Sequence, residues 1–219
     1  MGMPGATPAF QAVYHDYIIL FGNAGLNAEG TFKSLPMLVG ESLVNGDQLG
    51  WFNIWAMFFE NHPRREELGI FWEDEARRKR WVDFVVRIAR LRHNAGYKFL
   101  VLGEMLKPLT IETPLPIIEG SWGDPARGLR RMPAVVHSVW KAPDSALGLV
   151  FCNISSQEHE VKYKLDVTHY GLPEGRKYTV AMHGIDGSKN ALERYDSALF
   201  ERTERVPPLS SLILEVRAE

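Results

Sequence analysis

Val161, Tyr163, Leu165 and Val167 alternate strictly with Lys162, Lys164 and Asp166. Successive strand side chains point to opposite faces, so this run buries one face and wets the other only as a β-strand. Its neighbours share the texture. "AVVHSVWKA", "LGLVFCNIS", "EHEVKYKLDV", "RKYTVAMH" and "LSSLILEVRA" recur with turn residues between them. Short strands at such spacing predict an antiparallel β-sandwich over residues 132–219.

The first half reads differently. Residues 10–21, "FQAVYHDYIILF", are apolar and rich in β-branched and aromatic types, the pattern of a strand covered on both faces. A Gly/Asn-rich loop follows, then a helix over 31–45 that Pro36 and Gly40 weaken. "LGWFNIWAMFF" supplies a second buried run. The clearest helix is 73–93, with acidic residues in its first turn and basic ones at its end, as the macrodipole favours. Trp81, Phe84, Val85, Ile88 and Leu91 or Arg92 place one face toward a core, and Gly96 suits a C-terminal cap. "YKFLVLGEML" reads as a further strand.

The order is β-α-β-α-β and then all-β, which predicts α/β plus all-β. A complete (β/α)₈ barrel needs about 250 residues. Residues 1–107 therefore have room only for its last βα units. The Pro/Gly-rich tract at 108–131 is expected to be a linker, and 132–219 the sandwich.

Composition excludes more than it selects. A net charge of −2 gives no reason to expect nucleic acid or an anionic membrane as partner. One cysteine, Cys152, rules out an internal disulfide framework, and in "GLVFCN" it reads as an inert buried thiol. The start has neither the basic nor the apolar region of a secretory signal, and no window approaches the roughly 18 apolar residues of a membrane span. A soluble chain of unspecified compartment is expected. Phosphate-loop, dinucleotide, serine-hydrolase, zinc-protease and C-x-x-C motifs are all absent from the sequence. No cofactor is expected.

Four segments carry a family resemblance: "AVYHDYIILFG", "LVNGDQLGWF", "LRHNAGYKFLVLGEMLKP" and "MPAVVHSVWKAPDSALGLVFCNIS…YGLPEGRKYTV". Over residues 9–217 the chain resembles the C-terminal part of an uncharacterised glycoside-hydrolase-like family, a domain of unknown function. It is similar in layout to α-galactosidase-type and endo-α-N-acetylgalactosaminidase-type enzymes. The resemblance implies a catalytic (β/α)₈ barrel followed by a β-sandwich, and a carbohydrate substrate. Glycosidases of this kind use two carboxyl groups flanking the scissile bond and no obligatory metal. In such barrels both acids usually sit on middle strands, which this chain lacks. The resemblance thus implies a hydrolase when complete, main acids outside this chain, and an isolated chain without activity. The alternative is a non-catalytic carbohydrate-binding or structural module that completes a partner chain. Either way, two barrel strands expose their edges, so an upstream barrel segment or a homo-oligomer is the expected partner.

Candidate residues follow from that layout. His15 and Asp16 are expected at the mouth of a late barrel strand, Asp16 as the catalytic candidate and His15 in contact with substrate. The competing reading is a buried polar pair satisfied by backbone. Trp51, Asn53, Glu60 and His62 form the richest cluster, since aromatic faces stack on sugars while Asn, Glu and His bind hydroxyls. The same tryptophans equally suit packing between barrel and helix. Glu41 and Asp47 read as solvated or capping acids, and Glu104 as a cap or ion-pair partner. His137, His159, His169 and His183 lack metal-ligand spacing.

Overall fold

The computed structural model describes residues 9–15, 17–18, 20–22, 34–49, 75–121 and 129–219. The second half follows the alternation. Strands β6 (Val135–Lys141), β7 (Leu147–Asn153), β8 (His159–Asp166), β9 (Tyr178–His183), β10 (Lys189–Tyr195), β11 (Leu199–Val206) and β12 (Ser210–Ala218) follow one another, joined by short turns except between β8 and β9, where a 3-10 helix (Val167–Tyr170) intervenes, with β3 (Glu104–Leu106) ahead of them. Six of these form one antiparallel sheet in the order β10-β9-β12-β7-β6-β3. Strands β8 and β11 pair antiparallel as a separate ribbon. Val161, Tyr163 and Leu165 on β8 face Leu149, Phe151, Val180, Leu214 and Val216 of the large sheet in one buried core. The lysines between them lie on the outer face.

The other face of the large sheet carries helices. Helix α2 (Ser34–Val44) lies between β1 (Phe21–Gly22) and β2 (Gln48–Leu49), which pair in parallel. A parallel pair requires such a crossover. Pro36 falls in the first turn of α2, where its missing N–H has no partner to lose. Gly40 permits close approach to the sheet: a Cβ there would stand 2.5 Å from Ile154 Cγ2. Helix α3 (Glu75–His93) buries Trp81, Phe84, Val85, Ile88 and Leu91, the expected face, and Leu91 rather than Arg92 completes it. These side chains join Met37, Leu43, Phe99 and Trp140 in a second core. Each fully buried aliphatic or aromatic side chain contributes roughly 1.5–3 kcal/mol, so the helical layer is held to the sheet by apolar burial.

Two sequence expectations change. Residues 10–21 are not one strand: helix α1 (Ala9–Tyr14) comes first, and the strand shrinks to β1. With Phe10, Val13 and Tyr14 exposed, α1 does not have the double-sided cover that its composition suggested. Residues 97–106 are not one strand either. Helix α4 (Tyr97–Leu100) and a tight turn precede β3, and a Cβ at Gly103 would clash with Lys141 O at 2.8 Å. The described parallel pairing of β1 with β2 spans two residues of each strand. The described residues show the β-sandwich and its helical cover, and not the barrel fragment. Within the 108–131 tract, β4 (Ile117–Ser121) pairs antiparallel with β5 (Leu129–Pro133), whose last residues run past that tract.

Candidate functional site

His15 follows α1 directly and precedes β1. Its ring is buried. Nε2 donates to Leu100 O at 2.8 Å, and the ring packs on Trp140 with centroids 4.7 Å apart. Nδ1 is buried without a hydrogen-bond partner. Gly46 lies against this pair with φ +72°, and a Cβ there would meet Trp140 Cη2 at 2.7 Å and His15 Nε2 at 2.9 Å. Beside it, Arg92 donates to Gln48 Oε1 at 2.9 Å and to Gly46 O at 3.1 Å. Burial lowers the Arg92 pKa, against the opposing charge of Asp47. The geometry anchors α1 and β2 to the sheet. Asp16, Trp51, Asn53, Glu60 and His62 lie outside the described residues.

The strongest electrostatic feature lies elsewhere, where α4 meets the large sheet. Glu215 on β12 pairs with Gly148 and Ala181 on its neighbours, small residues that leave room above it. Phe99 fills part of that room, over Gly148. Glu215 is 1% exposed, yet it is ionised. Lys189 Nζ and Arg217 Nε both donate to Oε1, the lysine at 2.7 Å. His183 Nε2 donates to Oε2 at 2.7 Å, and Lys98 Nζ reaches the same oxygen at 2.8 Å. Burial alone would raise the Glu215 pKa. The hydrogen bonds from His183, Lys189, Lys98 and Arg217 outweigh it and hold the carboxyl far below its usual range. A carboxylate so held cannot serve as a proton donor near neutrality. Asp144, on the β6–β7 turn, accepts from Arg217 and stands 3.4 Å from Lys98.

A second buried cluster closes the sandwich at the ribbon. Arg202 and Glu204 point inward from β11, with Arg202 Nε donating to Glu204 at 2.6 Å. Arg202 Nη1 also reaches Glu193 and Tyr195 on β10, each at 2.9 Å, and Tyr163 donates to Glu204 at 3.2 Å. Tyr195 stacks on Phe200 with centroids 3.9 Å apart. Both carboxylates contact one guanidinium, which suits charge neutralisation rather than an acid and base with opposed pKa values.

The remaining candidates have structural surroundings. Glu41 pairs with Arg130 across to β5. Burial raises its pKa, and Arg130 opposes that rise. His137 donates to Leu109 O at 3.0 Å, and burial lowers its pKa. His159 Nε2 is 2.8 Å from Ser155 Oγ in the β7–β8 turn. Glu104 is exposed on β3. Burial pushes the Cys152 thiol well up, the inert state expected. Among the described residues no group of His, Cys, Asp or Glu has the arrangement of a metal site, and no helix is long and apolar enough to cross a membrane.

Sequence reasoning set His183 aside for want of metal spacing and passed over Glu215, Arg202 and Glu204. One signal was present: Glu215 stands between Ile213 and Arg217 on one face of a strand whose other face is Leu212, Leu214 and Val216. An acid at the centre of such a strand must find cations if it is buried.

No protein-family model matches the chain, and no curated protein matches it. Solved structures similar to it are glycoside hydrolases. A β-L-arabinopyranosidase from Geobacillus stearothermophilus, in complex with arabinose, aligns over 84% of this chain and 30% of its own, with 9% identity and TM-score 0.36. For α-galactosidase I from Mortierella vinacea the values are 83%, 34%, 7% and 0.35. The arabinofuranosidase from Xanthomonas axonopodis pv. citri aligns over 40% of this chain and 20% of its own, with 17% identity and TM-score 0.27. The chain spans between 20% and 34% of the length of these enzymes.

Proposed function

We propose that this chain is the C-terminal portion of a glycoside-hydrolase-like protein, of the family of unknown function that its sequence resembles. The complete protein hydrolyses glycosidic bonds with two carboxyl groups, and its main acids lie outside this chain. One observation carries the reading. A parallel strand–helix–strand unit, β1-α2-β2, precedes the antiparallel sandwich in the chain with α3 and α4 after it, and α2 and α3 pack on the large sheet. An α/β layer ahead of a sandwich is the order that the resemblance implies. Asp16, Trp51, Asn53, Glu60 and His62 are proposed as wall residues of the substrate cleft. The test is hydrolysis of a panel of aryl-glycosides by this chain joined to its upstream reading frame. Release of the aryl group supports the reading; no release across α- and β-linked sugars contradicts it.

A second reading, a non-catalytic module that completes a partner chain, is favoured by a different observation. Phe10, Val13, Tyr14, Tyr17 and Ile18 are all exposed within nine residues of α1 and its exit. Apolar side chains so concentrated mark contact surfaces more often than free ones. Co-purification of the chain with an upstream segment that lacks hydrolytic activity would favour this reading.

A further inference from the structure

The Glu215 cluster holds more hydrogen-bond donors than the described residues satisfy. A carboxylate offers about four acceptor positions, two on each oxygen. Here Lys189 and Arg217 take those of Oε1, and His183 and Lys98 those of Oε2. Glu215 is therefore saturated. Among the described residues, Lys189 Nζ has three protons and one acceptor, Glu215. Arg217 uses Nε and Nη2, while Nη1 donates to no group among the described residues. Lys98 divides its protons between Glu215 and Asp144 and lies over the Phe99 ring, 4.7 Å from its centroid.

Charge points the same way. Three permanent cations, Lys98, Lys189 and Arg217, meet two carboxylates, Glu215 and Asp144. Lys189 and Arg217 converge on a single oxygen, so their like charges are held side by side. Their side chains are 44% and 38% exposed, while the carboxylate between them is 1% exposed. The unspent donors are thus on the solvent side and the anion beneath them is spent. His183 adds no competing acceptor there, because its Nε2 faces Glu215 and its Nδ1 is buried. A planar guanidinium edge beside an ammonium is a donor pair matched to an oxyanion.

We propose that the Lys189–Arg217 rim, with Lys98 beside it, binds a small oxyanion: a phosphate, a sulfate or the carboxylate of an acidic sugar. The ligand bridges Lys189 Nζ and Arg217 Nη1, and Glu215 holds both cations in register from below. The site lies on the helix-bearing face of the large sheet, and the proposal stands independently of the hydrolase reading.

The test titrates the full chain with inorganic phosphate at constant ionic strength, chloride balancing the anion, by calorimetry. Sulfate and glucuronate form parallel arms. Saturable binding in any arm supports the proposal, and the tightest arm names the source of the oxyanion. Lys189→Ala is expected to weaken binding about tenfold, the worth of one charge-assisted hydrogen bond. Lys177→Ala, at an exposed lysine paired with Asp196, leaves binding unchanged. Absence of saturable binding in all three arms overturns the proposal, as does equal binding by wild type and Lys189→Ala. Should Lys189→Ala fail to fold, the Arg217 side-chain Nε–H resonance of the wild type decides. A shift that saturates with the anion supports the site, and an unmoved resonance overturns it.

Discussion

At the scale of single residues, Glu215 and Gly46 carry the most specific expectations. Glu215→Gln leaves Lys98, Lys189 and Arg217 crowded without their shared counter-charge, and is expected to cost about 3–5 kcal/mol in urea unfolding. Its pH signature separates charge from shape. The folded carboxyl titrates well below its ordinary value of 4.5. Its stabilisation is therefore complete above that pH and is lost as the pH falls below it toward the folded pKa. In the wild type, stability should drop on that acid limb, and the drop should be smaller in Glu215→Gln. Equal acid limbs would show that the charge contributes nothing. Gly46→Ala forces a left-handed alanine into Trp140 and His15, and is expected to cost about 2–4 kcal/mol in the same assay.

At the scale of elements, periodicity was legible wherever burial alone decided the structure. Helix α3 and strands β6, β7, β8, β9 and β12 follow from it, and Pro36 and Gly40 did not break α2 because one sits in the first turn and the other against the sheet. Strand β11 was not legible, because its inward positions are Phe200, Arg202, Glu204 and Val206, and two inward charges erase the apolar alternation. The opening stretch misled for the converse reason. Residues 10–21 read as a strand covered on both faces, yet Phe10, Val13, Tyr14, Tyr17 and Ile18 are exposed, and among the described side chains there only His15 and Leu20 are buried. The β11 charges give a test of their own. Arg202→Met alone strands Glu204 and is expected to cost about 3–5 kcal/mol, while Arg202→Met with Glu204→Leu should recover most of that loss, as paired removal of buried charges does. Chemical denaturation of both variants checks it. A double variant as unstable as the single would mean that the pair specifies how β8 and β11 dock.

At the scale of the whole molecule, the large sheet is shared. Its inner face makes the sandwich core with β8 and β11, and its outer face makes the core under α2, α3 and α4. The candidate substrate residues all belong to the segment around α1, β1 and β2, whereas the charge clusters belong to the sheet. The sequence pattern and the family resemblance implied the antiparallel sandwich that the structure shows. They missed the charge clusters because such clusters assemble from residues as far apart as Lys98 and Arg217. The main catalytic carboxylates are proposed to lie outside this chain, and assay of the isolated chain on aryl-glycosides is the decisive measurement. No turnover is expected; hydrolysis by the isolated chain, abolished in Asp16→Asn, would contradict the proposal.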